Sequence, residues 1–333
     1  MRIIISAMLL ILSITSCAQD STQKNMKTLS DISNLYQEIN HYPIEPHYGI
    51  YVSSSNTNFE VRINDIPVFL EYEFITNEIS PKGSYIPINL AISKSGIQKI
   101  EVRMYPSYNR ETQELEPSLK NAQVTVDVVK REYNTVKETY SEEEVILNLA
   151  APTEKNEVSK KTKFIYPELT EYIFDETFEA LVPYDIKTLE KAQNLITTDP
   201  EEIKKLTKEL LIAYNEIWQI YDQNKVSQYA DLIYNKEKRA AQQLFFTEVD
   251  SKKRAKEDIL ENGKILEENY EMMPFEDFKL RFYSNGKIVT LVYDKLGQVG
   301  RNKSVLRAKG EGRKNSYYSL FYKPVGSDKF ILY

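Results

Sequence analysis

The sequence predicts an all-β antiparallel sandwich, of Ig-like or jelly-roll kind, followed by an α+β domain with helices first and an antiparallel meander after. Three observations predict it. From about Tyr48 to Pro183 apolar residues recur with a period of two, and turn residues break the runs. From Asp199 to about Glu261 the period becomes that of a helix. After Pro274 it returns to two, around Asn285-Gly286. A chain of 333 residues can fill two cores of ordinary size.

The elements follow in order. Ile32, Leu35, Tyr36 and Ile39 have the spacing of one amphipathic turn, which predicts a short helix over 31–40 capped by Ser30 or Asp31. Phe59, Val61 and Ile63 alternate with Glu60, Arg62 and Asn64. Ile100, Val102 and Met104 alternate with Glu101, Arg103 and Tyr105. Val124, Val126 and Val128 make a further set, as do Val145, Leu147 and Leu149, and Phe178, Ala180 and Val182. Turns are read at Pro81-Lys82-Gly83-Ser84, Ser93-Lys94-Ser95-Gly96, Asn109-Arg110 and Pro152-Thr153. Each strand should bury one face and wet the other.

The second domain opens with Asp199 as a cap, Pro200 at the first helical position and Glu201-Glu202 at the positive end. Ile203, Leu206, Leu210, Ala213, Ile217 and Ile220 form its stripe. Two more helices are expected over 226–245 and 251–261. Phe278–Tyr283 and Lys287–Tyr293 then flank Asn285-Gly286. Their register should pair Phe282 with Val289, Leu280 with Leu291 and Phe278 with Tyr293 on one face. Strands over 304–308, 317–323 and 329–332 would complete the meander, in a helix-backed sheet of cystatin or NTF2-like kind.

The first seventeen residues have another purpose. Arg2 gives a positive start, Ile3 to Leu12 an apolar run too short to span a bilayer, and Ile14-Thr15-Ser16-Cys17 an ending of small residues. This ending resembles the lipobox of bacterial envelope lipoproteins. The resemblance implies cleavage between Ser16 and Cys17, with Cys17 carrying the lipid. Cys17 is the one cysteine in the chain. Two or more acyl chains would hold the protein stably on a membrane. The polar stretch from Ala18 reads as a flexible tether, and the absence of Asp at that position favours the outer membrane. The expected organisation is a signal peptide over 1–16, a tether and short helix over 17–44, the sandwich over 45–185 and the α+β domain over 197–333. Ile86 to Leu90, Ser95-Gly96 and Ile100 to Pro106 also resemble a strand–turn–strand of β-sandwich modules in bacterial envelope proteins, which implies a fold and no activity.

Composition narrows the function. Lys and Arg total 43 against 49 Asp and Glu, a net charge of −6 that carries no nucleic-acid footprint. One cysteine excludes an intrachain disulfide and a Cys-rich metal site. His41, Glu45 and His47 are close in sequence, but their spacing fits no helix face and Pro43 and Pro46 hold the segment extended; it reads as a linker packing on the sandwich edge. No phosphate cradle, nucleophile elbow or cofactor motif is present, and no cofactor is expected. Gly310-Glu311-Gly312 reads as a turn. Glycoside hydrolysis would need two convergent acids. Glu209, Glu216, Asp231 and Glu237 read instead as solvated helix faces.

The 24 tyrosines suit protein or sugar contacts. Tyr317-Tyr318 should point opposite ways, one of them outward unless the sheet is covered. With Arg301, Lys303, Arg313 and Lys314 they form the candidate interaction surface, a basic region in an acidic chain. The expected function is a membrane-anchored, non-catalytic binding or protein-interaction module of the cell envelope, in an immunity-type or surface-complex role with a protein partner. The alternatives are an envelope glycan hydrolase using a carboxylate pair and a carrier of a small ligand.

Overall fold

The computed structural model describes residues 26–74, 83, 85–155, 162–260, 263–295 and 301–333. The signal sequence, Ser16, Cys17 and most of the turn at 81–84 lie outside the described residues. Among those described, no helix is long and apolar enough to cross a membrane.

The chain is mostly antiparallel sheet, with its longer helices in the C-terminal half. Eleven strands come first: β1 (Ile44–Ser55), β2 (Thr57–Ile63), β3 (Ile66–Glu71), β4 (Ile86–Pro87), β5 (Gly96–Pro106), β6 (Gln123–Asn134), β7 (Thr139–Tyr140), β8 (Glu144–Ala150), β9 (Thr153–Lys155), β10 (Thr162–Phe164) and β11 (Tyr172–Ala180). One sheet runs β4-β1-β6-β7, with β8 also on β6. A second runs β11-β5-β2-β3. Ile50, Val52, Val126 and Val128 of the first sheet share one core with Val61, Val102, Met104 and Phe178 of the second. This arrangement is sandwich-like, and the predicted period-two sets supply most of its core.

Two expectations change here. The segment read as an edge linker becomes the start of β1, which pairs with β6 from Ile44 opposite Asn134 to Ser55 opposite Gln123. Pro46 is accommodated within that pairing. Val145 is exposed rather than buried, because the register against β6 shifts between Val128 and Val129 and moves it off the core face.

The C-terminal half begins with α2 (Pro200–Asp222) and α3 (Val226–Leu244), which follow a short N-terminal α1 (Leu29–Ser33) in chain order. The Asp199 side chain accepts from the Glu201 amide, and Pro200 opens α2 as the sequence implies. Helix α4 (Glu248–Lys253) starts three residues before the expected position. Thr247 and Asp250 form a capping box that satisfies its first amides. The helix then widens into a π turn over Arg254–Asp258.

The strands after it are β12 (Glu271–Met272), β13 (Phe278–Tyr283), β14 (Ile288–Tyr293), β15 (Arg307–Lys309), β16 (Lys314–Ser316), β17 (Phe321–Tyr322) and β18 (Ile331–Leu332). β13 and β14 pair in the expected register, Phe282 opposite Val289, Leu280 opposite Leu291 and Phe278 opposite Tyr293. Gly286 sits at φ +83, and a Cβ there would lie 2.4 Å from Asn194 Oδ1, so the turn needs glycine twice over. The single meander does not form. Two sheets appear instead, β13-β14-β17-β18 and β12-β15-β16.

The N-terminal segment also differs from expectation. Thr28 caps α1 through a capping box with Asp31, so the helix starts earlier and ends at Ser33. A 3-10 turn follows over Leu35–Gln37. Ile32 and Leu35 are wholly buried in the C-terminal core, beside Tyr214, Ile233 and Ala241. The Lys27 amide donates to Asp231, and the Asn40 amide to Gln242. The chain therefore docks on the C-terminal helices before it enters β1.

Every residue of β14 is buried. Val289 and Leu291 face the helices, while Tyr283 and Ile288 join the core of the first half. The C-terminal sheet is thus covered on both faces, by helices on one side and by the β11-β5-β2-β3 sheet on the other.

Candidate functional site

The junction between those two sheets is polar and has a simple origin. Strands β2 and β5 each carry Glu-x-Arg on the face away from their shared core: Glu60-Val61-Arg62 and Glu101-Val102-Arg103. Antiparallel pairing sets Glu60 opposite Arg103 and Arg62 opposite Glu101, so opposite charges alternate across the face. The β13 hairpin brings Lys279 and Arg281 to the same place, from the side of the strand that the sequence alone assigns to water.

Glu60 is fully buried. Its carboxylate accepts from Arg62, from the Tyr72 hydroxyl, from Tyr105 at 3.3 Å and from Arg281 Nη1 at 3.3 Å. Burial alone would raise its pKa. The charges of Arg281 and Arg62 and the bond from Tyr72 outweigh that and hold it below the ordinary carboxylate value. Burial and the Glu60 charge push Tyr72 well above an ordinary phenol, so it stays protonated and donates. Arg281 Nη1 also donates to Tyr72 at 2.9 Å, and its Nη2 to Asn302 at 2.9 Å. The Arg62 guanidinium lies 4.8 Å from the Tyr283 ring centre, and Tyr283 meets Tyr318 hydroxyl to hydroxyl at 3.0 Å.

Two adjoining clefts that share lining residues open beside this buried cluster. The first, about 530 Å³, has five cations in its wall (Arg62, Arg103, Lys279, Arg281 and Arg301) and two carboxylates, Asp65 and Glu171. The second, about 480 Å³, is lined by Tyr72, Tyr105, Tyr108, Pro106, Leu115 and Pro117, among others. Tyr105, Arg301 and Asn302 belong to both. A basic compartment thus adjoins an aromatic one at a junction of two sheets, a favoured place for ligand sites.

The cations divide into two kinds. Arg62 and Arg281 spend their terminal nitrogens on Glu60, Asp65, Tyr72, Tyr283 and Asn302. Arg103 and Arg301 are held by Nε alone, Arg103 on Glu101 at 2.6 Å and Arg301 on Asp294 at 2.7 Å. Among the described residues the terminal nitrogens of these two guanidinium groups have no hydrogen-bond partner. Each is oriented by a carboxylate behind it and keeps a two-pronged donor edge unspent.

Of the candidate interaction residues, the structure brings Arg301 to the cleft wall and Tyr318 into the buried cluster behind it. Lys303 pairs with Glu73 at 2.5 Å. Tyr317 turns the other way, onto Tyr221 at 4.7 Å between ring centres. Neither tyrosine lies on a strand, since β17 begins only at Phe321; both are half-buried, and they pack on different neighbours. Arg313 and Lys314 are exposed at the β15–β16 hairpin and do not line the cleft.

The acids considered for hydrolysis are occupied or scattered. Glu237 is buried, not solvated, and takes two bonds from Arg254 at 2.7 and 3.0 Å. Glu209 pairs with Lys323, and Asp231 accepts from the Lys27 amide. Glu216 is exposed. His41 Nδ1 lies 2.8 Å from Glu45, while His47 packs against Phe245 and Tyr140, each at 5.6 Å. Burial, then the Arg131 charge, lower the His47 pKa to about 4. No family model, curated protein or solved structure matches the chain.

Sequence reasoning missed Glu60, Arg103 and Arg281. The signal was present: two strands with Glu-x-Arg in matching phase, and a hairpin whose alternate face carries Lys279 and Arg281. Their meaning depends on a second sheet covering that face, which local periodicity does not encode.

Proposed function

We propose that the protein is a lipid-anchored, non-catalytic binding module of the bacterial cell envelope, held through Cys17 and working through the cleft at the sheet junction. The first half is read as a β-sandwich of Ig-like or jelly-roll kind, and the C-terminal half as an α+β unit docked on it. The observation that carries the binding reading is the pair of adjoining compartments with guanidinium edges at Arg103 and Arg301 that are unspent among the described residues. The buried acid beside them supports a non-catalytic role. Glu60 is clamped as a carboxylate by four donors, so it has neither a proton to give nor a free lone pair aimed at a substrate. The lipobox-like Ile14-Thr15-Ser16-Cys17 supports anchoring, and Ala18 favours the outer membrane. An immunity-type or surface-complex role with a protein partner fits a tethered module of this build.

Two measurements test the reading. Metabolic palmitate labelling should be lost in Cys17→Ser; unchanged labelling overturns the anchor. The Cys17-lacking soluble form should capture one stoichiometric protein from native envelope, identified by mass spectrometry. Recovery of glycan alone, or of nothing, overturns the binding module.

A further inference from the structure

The geometry points to an acidic peptide segment of a protein partner as the occupant of the cleft, its carboxylate held by Arg103 and Arg301 and a neighbouring aromatic or apolar side chain seated among Tyr105, Tyr108 and Leu115. This inference rests on the binding reading above and names its ligand.

Donor supply decides the occupant. A ligand can be gripped only by groups that folding has not already used. Arg62 and Arg281 are spent on the buried cluster, and Lys279 on Asp294 at 2.8 Å. Among the described residues Arg103 and Arg301 keep their Nη pairs, and both line the basic compartment. A planar fork with its Nε fixed loses little freedom on meeting a carboxylate and matches it with two parallel bonds. Glu60, Glu101 and Asp294 balance these cations, so what the compartment offers a ligand is the Nη edges of Arg103 and Arg301 rather than a large net charge.

The second compartment sets what must accompany that charge. Its wall is phenol rings, two prolines and Leu115, with Glu116 beside them. A bare anion would leave this surface wet. A peptide with Asp or Glu next to Phe, Tyr or Leu fills both compartments with one continuous chain, and its backbone can meet the Asn302 and Thr170 side chains that line them. A protein source is preferred to a charged glycan because the second compartment is apolar at Pro106, Leu115 and Pro117, where a sugar would bury hydroxyls without partners.

The test is a random heptapeptide phage library panned against the soluble wild-type chain and against the Arg103→Ala/Arg301→Ala double variant. Both side chains are about 30% exposed, and the Lys double variant, which keeps charge and loses the fork, controls for folding. Enrichment of Asp or Glu beside Phe, Tyr or Leu is expected. A synthetic peptide of the enriched sequence should bind the Ala variant at least tenfold more weakly, the Lys variant between the two, and lose affinity as salt rises. Enrichment without an acid, no enrichment, or acidic peptides held equally by the Ala variant overturns the inference. So does a uronic-acid oligosaccharide bound in their place. If the inference fails while envelope capture of a protein persists, the binding reading stands and another surface serves it. If envelope capture is also empty, both fall.

Discussion

Arg281 and Glu60, 221 residues apart in sequence, meet across the junction, with Nη1 of the guanidinium 3.3 Å from Oε2 of the carboxylate. Neither strand hides its charge alone. β13 supplies one of the four donors on Glu60, and Glu60 answers the Arg281 charge at the cleft wall. The contact makes the two halves depend on each other and also builds the wall of the cleft.

Glu60→Ala removes the carboxylate that Arg62 and Arg281 share and should cost about 3–5 kcal/mol in urea unfolding, whereas Arg281→Ala leaves Glu60 with Arg62, Tyr72 and Tyr105 and should cost less, with strong coupling in the double variant. The pair also has a pH signature. Glu60 has a folded pKa below its ordinary value, so its contribution is present above the unfolded value near 4.5 and is lost as pH falls through the lower folded value. Acid unfolding curves of the wild type and Glu60→Gln should differ least at low pH.

His47 acts in a separate window. Its folded pKa is about 4 against 6.5, so the unfolded chain binds the extra proton between those values. Stability should therefore fall as pH drops from 6.5 to 4, by on the order of 3 kcal/mol. His47→Phe keeps a ring against Phe245 and Tyr140 and should flatten that slope in denaturant titrations at pH 7, 5.5 and 4.

Tyr214 ties α2 to the centre of the C-terminal sheet. Its hydroxyl lies 2.9 Å from Thr290 Oγ1 and accepts from the Leu291 amide at 3.1 Å. Tyr214→Phe keeps the ring on Phe321 and leaves Thr290 on the Ser319 carbonyl, but takes the acceptor from the buried Leu291 amide, at a cost of about 1–3 kcal/mol in thermal or urea unfolding. An unchanged midpoint would mean that water or a neighbour replaces the hydroxyl.

The N-terminal segment belongs to the C-terminal core. Ile32→Ala should destabilise by about 2–5 kcal/mol, as for a fully buried side chain, and should expose residues 26–43 to protease before the rest. A surface-like effect below half a kcal/mol would contradict the docked segment.

What the sequence made legible was local. Asp199-Pro200 marks the start of α2 because a cap and a fixed φ act within two residues. The pairing of Phe282 with Val289 follows from a turn and a period of two. The site was hidden for the opposite reason. Glu60, Arg103 and Arg281 look like wet-face charges until a second sheet covers them, and Glu237 looks solvated until Arg254 reaches back to it. Val145 left the core through a one-residue register shift that no alternating pattern announces. Ile32 and Leu35 showed an apolar face but not its partner, which lies some 180 residues on or more.

The most direct test is photo-crosslinking in the native envelope with a benzophenone amino acid at Leu115, which lines the aromatic compartment and is 39% exposed. Ile212, 67% exposed on α2, is the control position. The account predicts a single protein adduct from Leu115 that disappears in the Arg103→Ala/Arg301→Ala background, and none from Ile212. An adduct from Ile212 alone, or a Leu115 adduct indifferent to both arginines, would contradict it.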